Sequence, residues 1–365
     1  MRILHVITTI DIGGAEKQLL ELCRSQIKSK HVVKVAYLKG PSSLENEFQE
    51  SKVLIDSTVR SSNLLMQPRV LRRLIKEFDP EIVHFHLPRA ELMGALARYP
   101  KRYMISRHNT ESFIPQGPEK LSRFLSKAVT RRAYSVVAIS ETVKDFLTSI
   151  DEISKKTKVT TIQYGVNLDV PAGTFKKPRG KKLVFGTLSR LSPQKNVPCL
   201  LQGFALHLEE HNEDSLKIAG TGELASELYQ LTSNLGIEEK VEWMGKVSDA
   251  DSFLKSIDVF VLASNYEGFG LVILESLQAR VTLLCSKSLA ALEILGSDYA
   301  GLFDLGDSKD LSTLMEKAHN PVFRNRLQSQ GEKVLARYSI EVTREKHDRL
   351  YSMFMDESLS KRNEV

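Results

Sequence analysis

Cysteine is scarce in this sequence, with three residues in 365. Cys23, Cys199 and Cys285 stand far apart among apolar neighbours and show no C-x-x-C spacing. That excludes a disulfide framework and a zinc or redox pair, and leaves three reduced thiols expected in the interior. Long hydrophobic runs are missing too. Every apolar stretch is interrupted well short of the roughly 18 to 20 residues that a membrane span requires. The opening segment, MRILHVITTI, reads as a buried strand, too short and followed by the wrong residues for a signal peptide, so a cytoplasmic protein is expected. No internal repeat or low-complexity tract occurs. The G-x-G-x-x-G dinucleotide fingerprint is absent, which disfavours a nicotinamide dehydrogenase. With no aromatic RNA-binding signature and no DNA-reading motif, nucleic acid is not an expected partner.

What is present is the composition of a soluble globular chain, 42% hydrophobic and 26% charged. Its length suits two domains better than one. The net charge of +6 is unevenly placed: residues 1–170 hold 27 Lys/Arg against 18 Asp/Glu, a net of +9, and the remainder holds 24 against 27, a net of −3. Such a basic half can meet an anionic membrane surface or a phosphorylated small molecule.

Short β-branched runs alternate with longer amphipathic stretches in both halves. Candidate strands are residues 3–8, 32–37, 82–86, 103–108, 135–140 and 159–164, then 183–189, 215–220, 241–245, 259–264 and 281–286. The alternation implies two α/β domains, each a parallel sheet covered on both faces, over residues 1–170 and 183–338. Residues 170–182, VPAGTFKKPRGKK, combine two prolines, two glycines and five basic residues and read as the linker. A last helical stretch, 339–358, is expected to pack back on the first domain. Two open sheets joined by one linker place their ligand edges across a cleft, a geometry suited to transfer between two substrates.

Three constellations carry chemistry. In NYEGFGLVILES (265–276), Glu267 sits in a turn after a strand and Glu275 follows it two turns later, on the next helix. Carboxylates accept hydrogen bonds in pairs, which suits the vicinal hydroxyls of a ribose or sugar. Gly268 and Gly270 let backbone approach a ligand, and amides at the helix start favour negative charge. On spacing alone, a turn followed by a helix with a solvated Glu fits equally well. GTLSRLSPQKN (186–196) places Arg190 and Lys195 after the first strand of the second domain, where two cations can grip a diphosphate and stabilise charge on a departing group. TTIDIGGAEK (8–17) sets Gly13 and Gly14 between the first strand and a helix, in the manner of a phosphate-approach loop.

Together with HFHLPRA (84–90), RHN (107–109), AIS (138–140), YGVN (164–167) and AGTGE (219–223), these segments resemble the family-4 retaining glycosyltransferases over nearly the whole chain. The resemblance implies the GT-B fold, two doubly wound Rossmann-like domains facing across a cleft, and transfer of a sugar from a nucleotide-sugar donor without a bound metal or cofactor. Arg190 and Lys195 match the family's donor-diphosphate cations, Glu275 the ribose carboxylate, Glu267 the carboxylate beside the donor sugar, and His108 the histidine near the reaction centre. The amides of Gly268, Phe269, Gly270 and Leu271 would line sugar and phosphate, and Gly14 would admit the diphosphate. The implied acceptor is a glycan or lipid-linked molecule of the cell envelope, such as lipopolysaccharide or capsule.

The pattern has departures. Arg280 and Thr282 stand where the family has Gly and Pro, Leu289, Ala290 and Ala291 replace a glycine-rich loop, and Asn196 replaces a glycine. Two readings compete with the transferase: a nucleotide-sugar epimerase or phosphorylase of the same fold, and a non-catalytic sugar-nucleotide-binding assembly protein. Asp249 and Asp251 spell the D-A-D of metal-dependent enzymes of another fold but read better as a helix N-cap and first-turn acid. His84 and His86 face one side of a strand and lack further ligands nearby in sequence, so a core role is expected rather than zinc. Residues 117–133 form a basic amphipathic helix with Leu121, Phe124, Leu125, Ala128 and Val129 on one face; it suits either the sheet or an anionic membrane surface, and peripheral attachment to the inner face of the membrane is the expectation.

Overall fold

The computed structural model describes residues 1–98, 102–168, 182–247 and 249–363. The linker expected over 170–182 lies, apart from Lys182, outside the described residues. The chain divides into two compact units, Met1–Asn167 with Ser339–Val365, and Leu168–Tyr338.

The first unit is built on seven strands: β1 (Arg2–Ile7), β2 (Val32–Tyr37), β3 (Leu54–Asp56), β4 (Ile82–His86), β5 (Tyr103–Arg107), β6 (Ala133–Ala138) and β7 (Lys158–Thr161). Their order is β3-β2-β1-β4-β5-β6-β7, and every pairing is parallel. All five residues of β4 and of β5 are buried, as strands covered on both faces must be. The helix Gly14–Lys28 presses Leu19, Leu20 and Cys23 into a cluster with Ile7, Val33, Val35, Tyr37 and Phe48. On another part of the sheet, Leu350, Tyr351 and Phe354 of the final helix, Ile340–Asn363, close a cluster with Ile3, Ile82, Met104, Val137 and Ile162. The start of that helix is tied to the end of the first stretch: Ile340 donates its N–H to the Val166 carbonyl at 2.9 Å and Thr343 Oγ1 donates to the Gln163 carbonyl at 3.0 Å. Gly165 permits this approach, since a Cβ there would collide with the Ser339 carbonyl.

The second unit repeats the plan with six parallel strands: β8 (Val184–Leu188), β9 (Ser215–Ala219), β10 (Val241–Gly245), β11 (Val259–Leu262), β12 (Thr282–Ser286) and β13 (Leu302–Phe303), in the order β10-β9-β8-β11-β12-β13. Both sheets therefore have Rossmann-like order, with the first strand central and a topological switch beside it, at β1/β4 and at β8/β11; ligands of such sheets bind beyond the strands' carboxyl ends at the switch. The strands β3 and β13 escaped the sequence reading. Both are edge strands of three and two residues, too short to show a period. Among the described residues, no helix is long and apolar enough to cross a membrane.

Candidate active site

At the switch of the second unit, two loops leave adjacent strands. The chain leaves β8 into residues 189–196, which carry Arg190 and Lys195, and leaves β11 into residues 263–270, which carry Glu267. They meet in an ion pair: Lys195 Nζ lies 2.6 Å from Glu267 Oε1, with only 14% and 8% of the side chains exposed. Ser264 Oγ donates to the same carboxylate at 2.7 Å, and Ser286 Oγ donates to the Ser264 carbonyl at 2.6 Å, so the end of β12 braces the pair. Leu191 exchanges backbone hydrogen bonds with Thr221 and Leu224, which anchors the first loop to the AGTGE segment. Arg190 is exposed, its Nη2 donating to Gln194 Oε1 at 3.2 Å. Asn196 adopts the left-handed conformation, φ 46°, that a glycine would take; Asn is among the side chains that tolerate it, and its amide bonds Asn265 Oδ1 at 3.1 Å.

The helix Leu271–Gln278 starts at Gly270, whose φ of 86° sharpens the turn so that the helix begins directly after the loop. No side chain caps that helix start, and the partial positive charge of the first turn faces the loop of Glu267. Phe269 is buried edge-on against Tyr338 with ring centroids 5.9 Å apart, which fixes the loop between Gly268 and Gly270. Glu275 is half-buried one helical turn beyond Leu271.

The departures from the family pattern fall into two groups. Arg280 and Thr282 lie at the amino end of β12, the edge opposite the Lys195–Glu267 pair. Arg280 keeps the glycine's backbone, φ 57°, and turns its side chain to Glu332 at 3.4 Å. Leu289, Ala290 and Ala291 do follow the carboxyl end of β12, and there Ser288 caps the helix Leu289–Leu295 by accepting from the Ala291 N–H at 3.3 Å. Asp249 accepts from the N–H groups of Asp251 and Ser252, and Asp251 pairs with Lys255, so the D-A-D triplet is a helix start.

In the first unit, Gly13 precedes the helix Gly14–Lys28, which has no side-chain cap, and a Cβ on Gly14 would meet nothing within 4 Å, so space beside it is unused by the fold. His108 follows β5 and joins a chain of hydrogen bonds that the sequence reading did not foresee. Gln26 Oε1 meets His5 Nε2 at 3.0 Å, His5 Nδ1 meets His86 Nε2 at 3.0 Å, His86 Nδ1 meets His108 Nε2 at 3.2 Å, and His108 Nδ1 meets the Tyr164 hydroxyl. With Gln26 Oε1 as acceptor, the protons fall in one order: each imidazole is neutral, carries its proton on Nε2, and receives on Nδ1. Burial, with His347 and Arg107 nearby, pushes His108 down to about 3, which keeps it neutral near pH 7. His84 lies beside this chain, bonded to Tyr351 at 2.7 Å and Ser106 at 2.8 Å. A third imidazole, His5, does join His84 and His86, but both ring nitrogens of His84 are bonded outside the trio, to Tyr351 and Ser106, which leaves no third ligand for zinc.

Arg107, next to His108, is buried between two carboxylates, 2.7 Å from Glu91 Oε2 and 3.7 Å from Glu152 Oε2. The helix Glu119–Thr130 packs on this group through hydroxyls: Ser122 Oγ donates to Glu152 Oε1 at 2.6 Å and Ser126 Oγ to the Glu152 carbonyl at 2.8 Å. Its inner face is therefore Ser122, Ser126, Val129 and Thr130, while Leu121 and Phe124 stand 47% and 68% exposed.

Comparison with known proteins follows the same division. The model of "Glycosyl transferases group 1" matches residues 174–334, and that of "Glycosyltransferase Family 4" matches residues 12–170. The capsular polysaccharide biosynthesis glycosyltransferase CapM of Staphylococcus aureus is 22% identical over 99% of each chain. An alpha-1,4-N-acetyl-D-galactosaminyltransferase of Campylobacter jejuni, whose name gives a PP-undecaprenol-linked glycan, is 25% identical over 83% of this chain and 84% of its own. Among solved structures, Anabaena HepE in complex with UDP and glucose superposes with a TM-score of 0.79 at 16% identity, over 97% of this chain and 100% of that one. This likeness gives the GT-B fold.

Proposed function

The chain belongs to the group 1, family-4 glycosyltransferases, and on that premise we propose that it moves a sugar from a nucleoside diphosphate sugar to a lipid-linked or other cell-envelope glycan, with retention of anomeric configuration and without a metal. The observation that carries the donor half is the meeting of the Arg190–Lys195 loop, Glu267 and the Gly270 helix start at the β8/β11 switch. In this reading the diphosphate lies against Arg190 and Lys195. As the bond from the sugar's anomeric carbon to the diphosphate oxygen breaks, these fixed cations stabilise the charge that develops. Glu267 holds Lys195 in place and accepts from sugar hydroxyls, the amides of Gly268 to Leu271 line sugar and phosphate, and Glu275 accepts from the ribose. Gly14 leaves room for phosphate. The acceptor hydroxyl attacks on the face the diphosphate leaves, and a phosphate oxygen takes its proton, so catalysis is positioning and leaving-group stabilisation. His108, held neutral, takes part by hydrogen bonding and not as an acid.

The acceptor half is supported by the outward apolar face of the helix Glu119–Thr130, where Leu121 and Phe124 stand among Lys120, Arg123 and Lys127. That combination suits an anionic membrane surface on which a lipid-linked acceptor resides. The lipid-linked glycan in the Campylobacter relative's name points the same way.

The test is calorimetric titration with UDP, GDP, ADP and NAD, each with and without magnesium, with UDP first because the HepE structure holds it. One nucleoside diphosphate is expected to bind equally well with and without the metal, and Lys195→Ala and Glu275→Ala are each expected to weaken it roughly 10- to 100-fold, as lost charge-assisted hydrogen bonds do. Binding of NAD alone, or a nucleotide affinity that neither variant changes, would overturn the assignment.

A further inference from the structure

The second unit contains a convergence of ligand-type side chains that the transfer reaction does not use. His207 lies on the helix Val197–Leu208, Asp214 directly before β9, and His319 just after the helix Ser308–Lys317. Asp214 Oδ2 is 2.8 Å from Nε2 of His207 and 2.8 Å from Nε2 of His319, and the three ligating atoms all lie within 4.8 Å of one another. We propose that His207, Asp214 and His319 form a site for a divalent transition-metal ion, with zinc the best fit, that fastens these two helices to the sheet.

The donor set is two imidazoles and a carboxylate, a set that zinc binds at about 2.0 to 2.2 Å per ligand with water in the fourth position. Ligands of a tetrahedral ion at such distances stand about 3.3 Å apart, so each nitrogen moves about half an ångström from the carboxylate, and the two nitrogens, within 4.8 Å of each other, close by at most about 1.5 Å. When the ion enters, each ring frees the Nε2 lone pair by carrying its proton on Nδ1 instead, so both imidazoles bind as neutral ligands. The supporting contacts are largely in place. Asp214 Oδ1 accepts the Leu183 N–H at 2.7 Å, which fixes the carboxylate, and the His319 ring stacks on His211 with centroids 4.0 Å apart and planes 10° apart, which fixes the ring. His207 and Asp214 are fully enclosed, whereas 21% of the His319 side chain is exposed, giving the ion a way in and the water a place. One support is missing: His207 Nδ1 is buried with no hydrogen-bond partner. A metal-bound imidazole without an outer acceptor typically loses about 10- to 100-fold in affinity, so micromolar binding is expected. Asp214 and Leu183 stand at the amino ends of β9 and β8, the edge away from Lys195 and Glu267, so the ion would touch no donor. The trio His5, His84 and His86 offers no such site, because both nitrogens of His84 bond groups outside it, Tyr351 and Ser106, whereas the bonds among His207, Asp214 and His319 run between the ligands themselves.

The experiment uses tag-free protein stripped with a chelator and titrated calorimetrically with zinc chloride, with cobalt(II) absorbance as a second readout of coordination. Melting is followed by the fluorescence of Trp243, the sole tryptophan, which lies in the second unit. Expected are one zinc per chain, a melting temperature that rises with zinc concentration, and at least a roughly tenfold loss of affinity in His319→Ala, with Asp214→Asn as a further variant and nucleotide binding unchanged. His319 is partly exposed, so His319→Ala should fold even where Asp214→Asn does not. Absence of saturable binding below about 1 mM zinc, weaker than the affinities of protein zinc sites, or stoichiometric binding that His319→Ala leaves intact, would overturn the proposal.

Discussion

Acidification from about pH 7.5 to about pH 5 should destabilise the first unit well before the second. The interior of the first unit holds five imidazoles, His5, His84, His86, His108 and His347, packed ring to ring beside Tyr164 and Tyr351. Burial pushes His5 and His347 down to about 4 and His108 to about 3, and it drives His84 and His86 well below the ordinary value, with neighbouring imidazoles adding to the effect. An unfolded chain takes up a proton at each of them near pH 6.5, whereas the folded chain holds off the proton on His5 and His347 until about pH 4 and on His108 until about pH 3. Between those limits the unfolded state binds more protons. The stabilisation is therefore complete above about pH 6.5 and is lost as pH falls through the window.

At pH 5 each of His5, His108 and His347 costs the fold about 2 kcal/mol, roughly 6 in all. Glu91 acts in the opposite sense: burial raises its carboxyl to about 7 although Arg107 opposes the shift. Its contribution is full below the unfolded value and disappears as pH rises through about 7, so acidification returns about 2 kcal/mol. About 4 kcal/mol remains, before His84 and His86 are counted, against a typical domain stability of about 5 to 15 kcal/mol. Urea denaturation across this pH range, followed in parallel by far-ultraviolet circular dichroism and by Trp243 fluorescence, separates the units, because the dichroism reports both and Trp243 only the second. The dichroism should gain an early transition at pH 5 while the Trp243 midpoint moves little. A urea midpoint independent of pH, or a Trp243 transition that falls in step with the dichroism, would refute the reasoning.

Two further substitutions isolate single features. Arg280→Gly should stabilise the second unit by about 1 kcal/mol, because it relieves a left-handed conformation costly for a side chain, while the exposed contact to Glu332 is worth little; thermal unfolding detected at Trp243 checks the direction. Leu121→Ser with Phe124→Ser should reduce co-sedimentation with anionic phospholipid vesicles by at least about tenfold, since each exposed side chain can bury about 1.5 to 3 kcal/mol of apolar surface, and equal sedimentation of the variant and the parent protein would remove the membrane contact.

The two parallel sheets were legible because their central strands are runs of buried Val, Ile, Leu and Phe with helical periods between them. IVHFH and VFVL are buried at every residue, and a chain that buries both faces of a strand has few other ways to fold. What resisted reading was orientation. The helix at 117–133 has its largest apolar residues on one face, and periodicity alone lets that face lie on the sheet or turn outward. The buried Arg107 and Glu152 decide for Leu121 and Phe124, because they need hydroxyl partners and Ser122 and Ser126 supply them, which sends Leu121 and Phe124 out. A local pattern cannot report a charge buried beneath it by residues up to 30 positions away.

The same limit divides the candidate site. Arg190, Lys195 and Glu267 each lie a few residues past a strand end, so the rule that ligands gather beyond carboxyl ends found them one loop at a time. The imidazole chain could be found only from strand order. His5 pairs with His84 in register because β1 adjoins β4, and His86 adjoins Ser106 because β4 adjoins β5. A reader who placed β1 beside β4, as Rossmann order requires, would have seen three histidines on one face. The two units then treat charge in opposite ways. In the second, a cation and an anion with little exposure are fixed against each other at the strand ends, where a diphosphate would add charge. In the first, burial pushes all five imidazoles towards the neutral form, with His108 down at about 3. A histidine with so low a pKa carries no proton to give at neutral pH, and for that reason the proposed mechanism gives leaving-group stabilisation to Arg190 and Lys195 and not to His108.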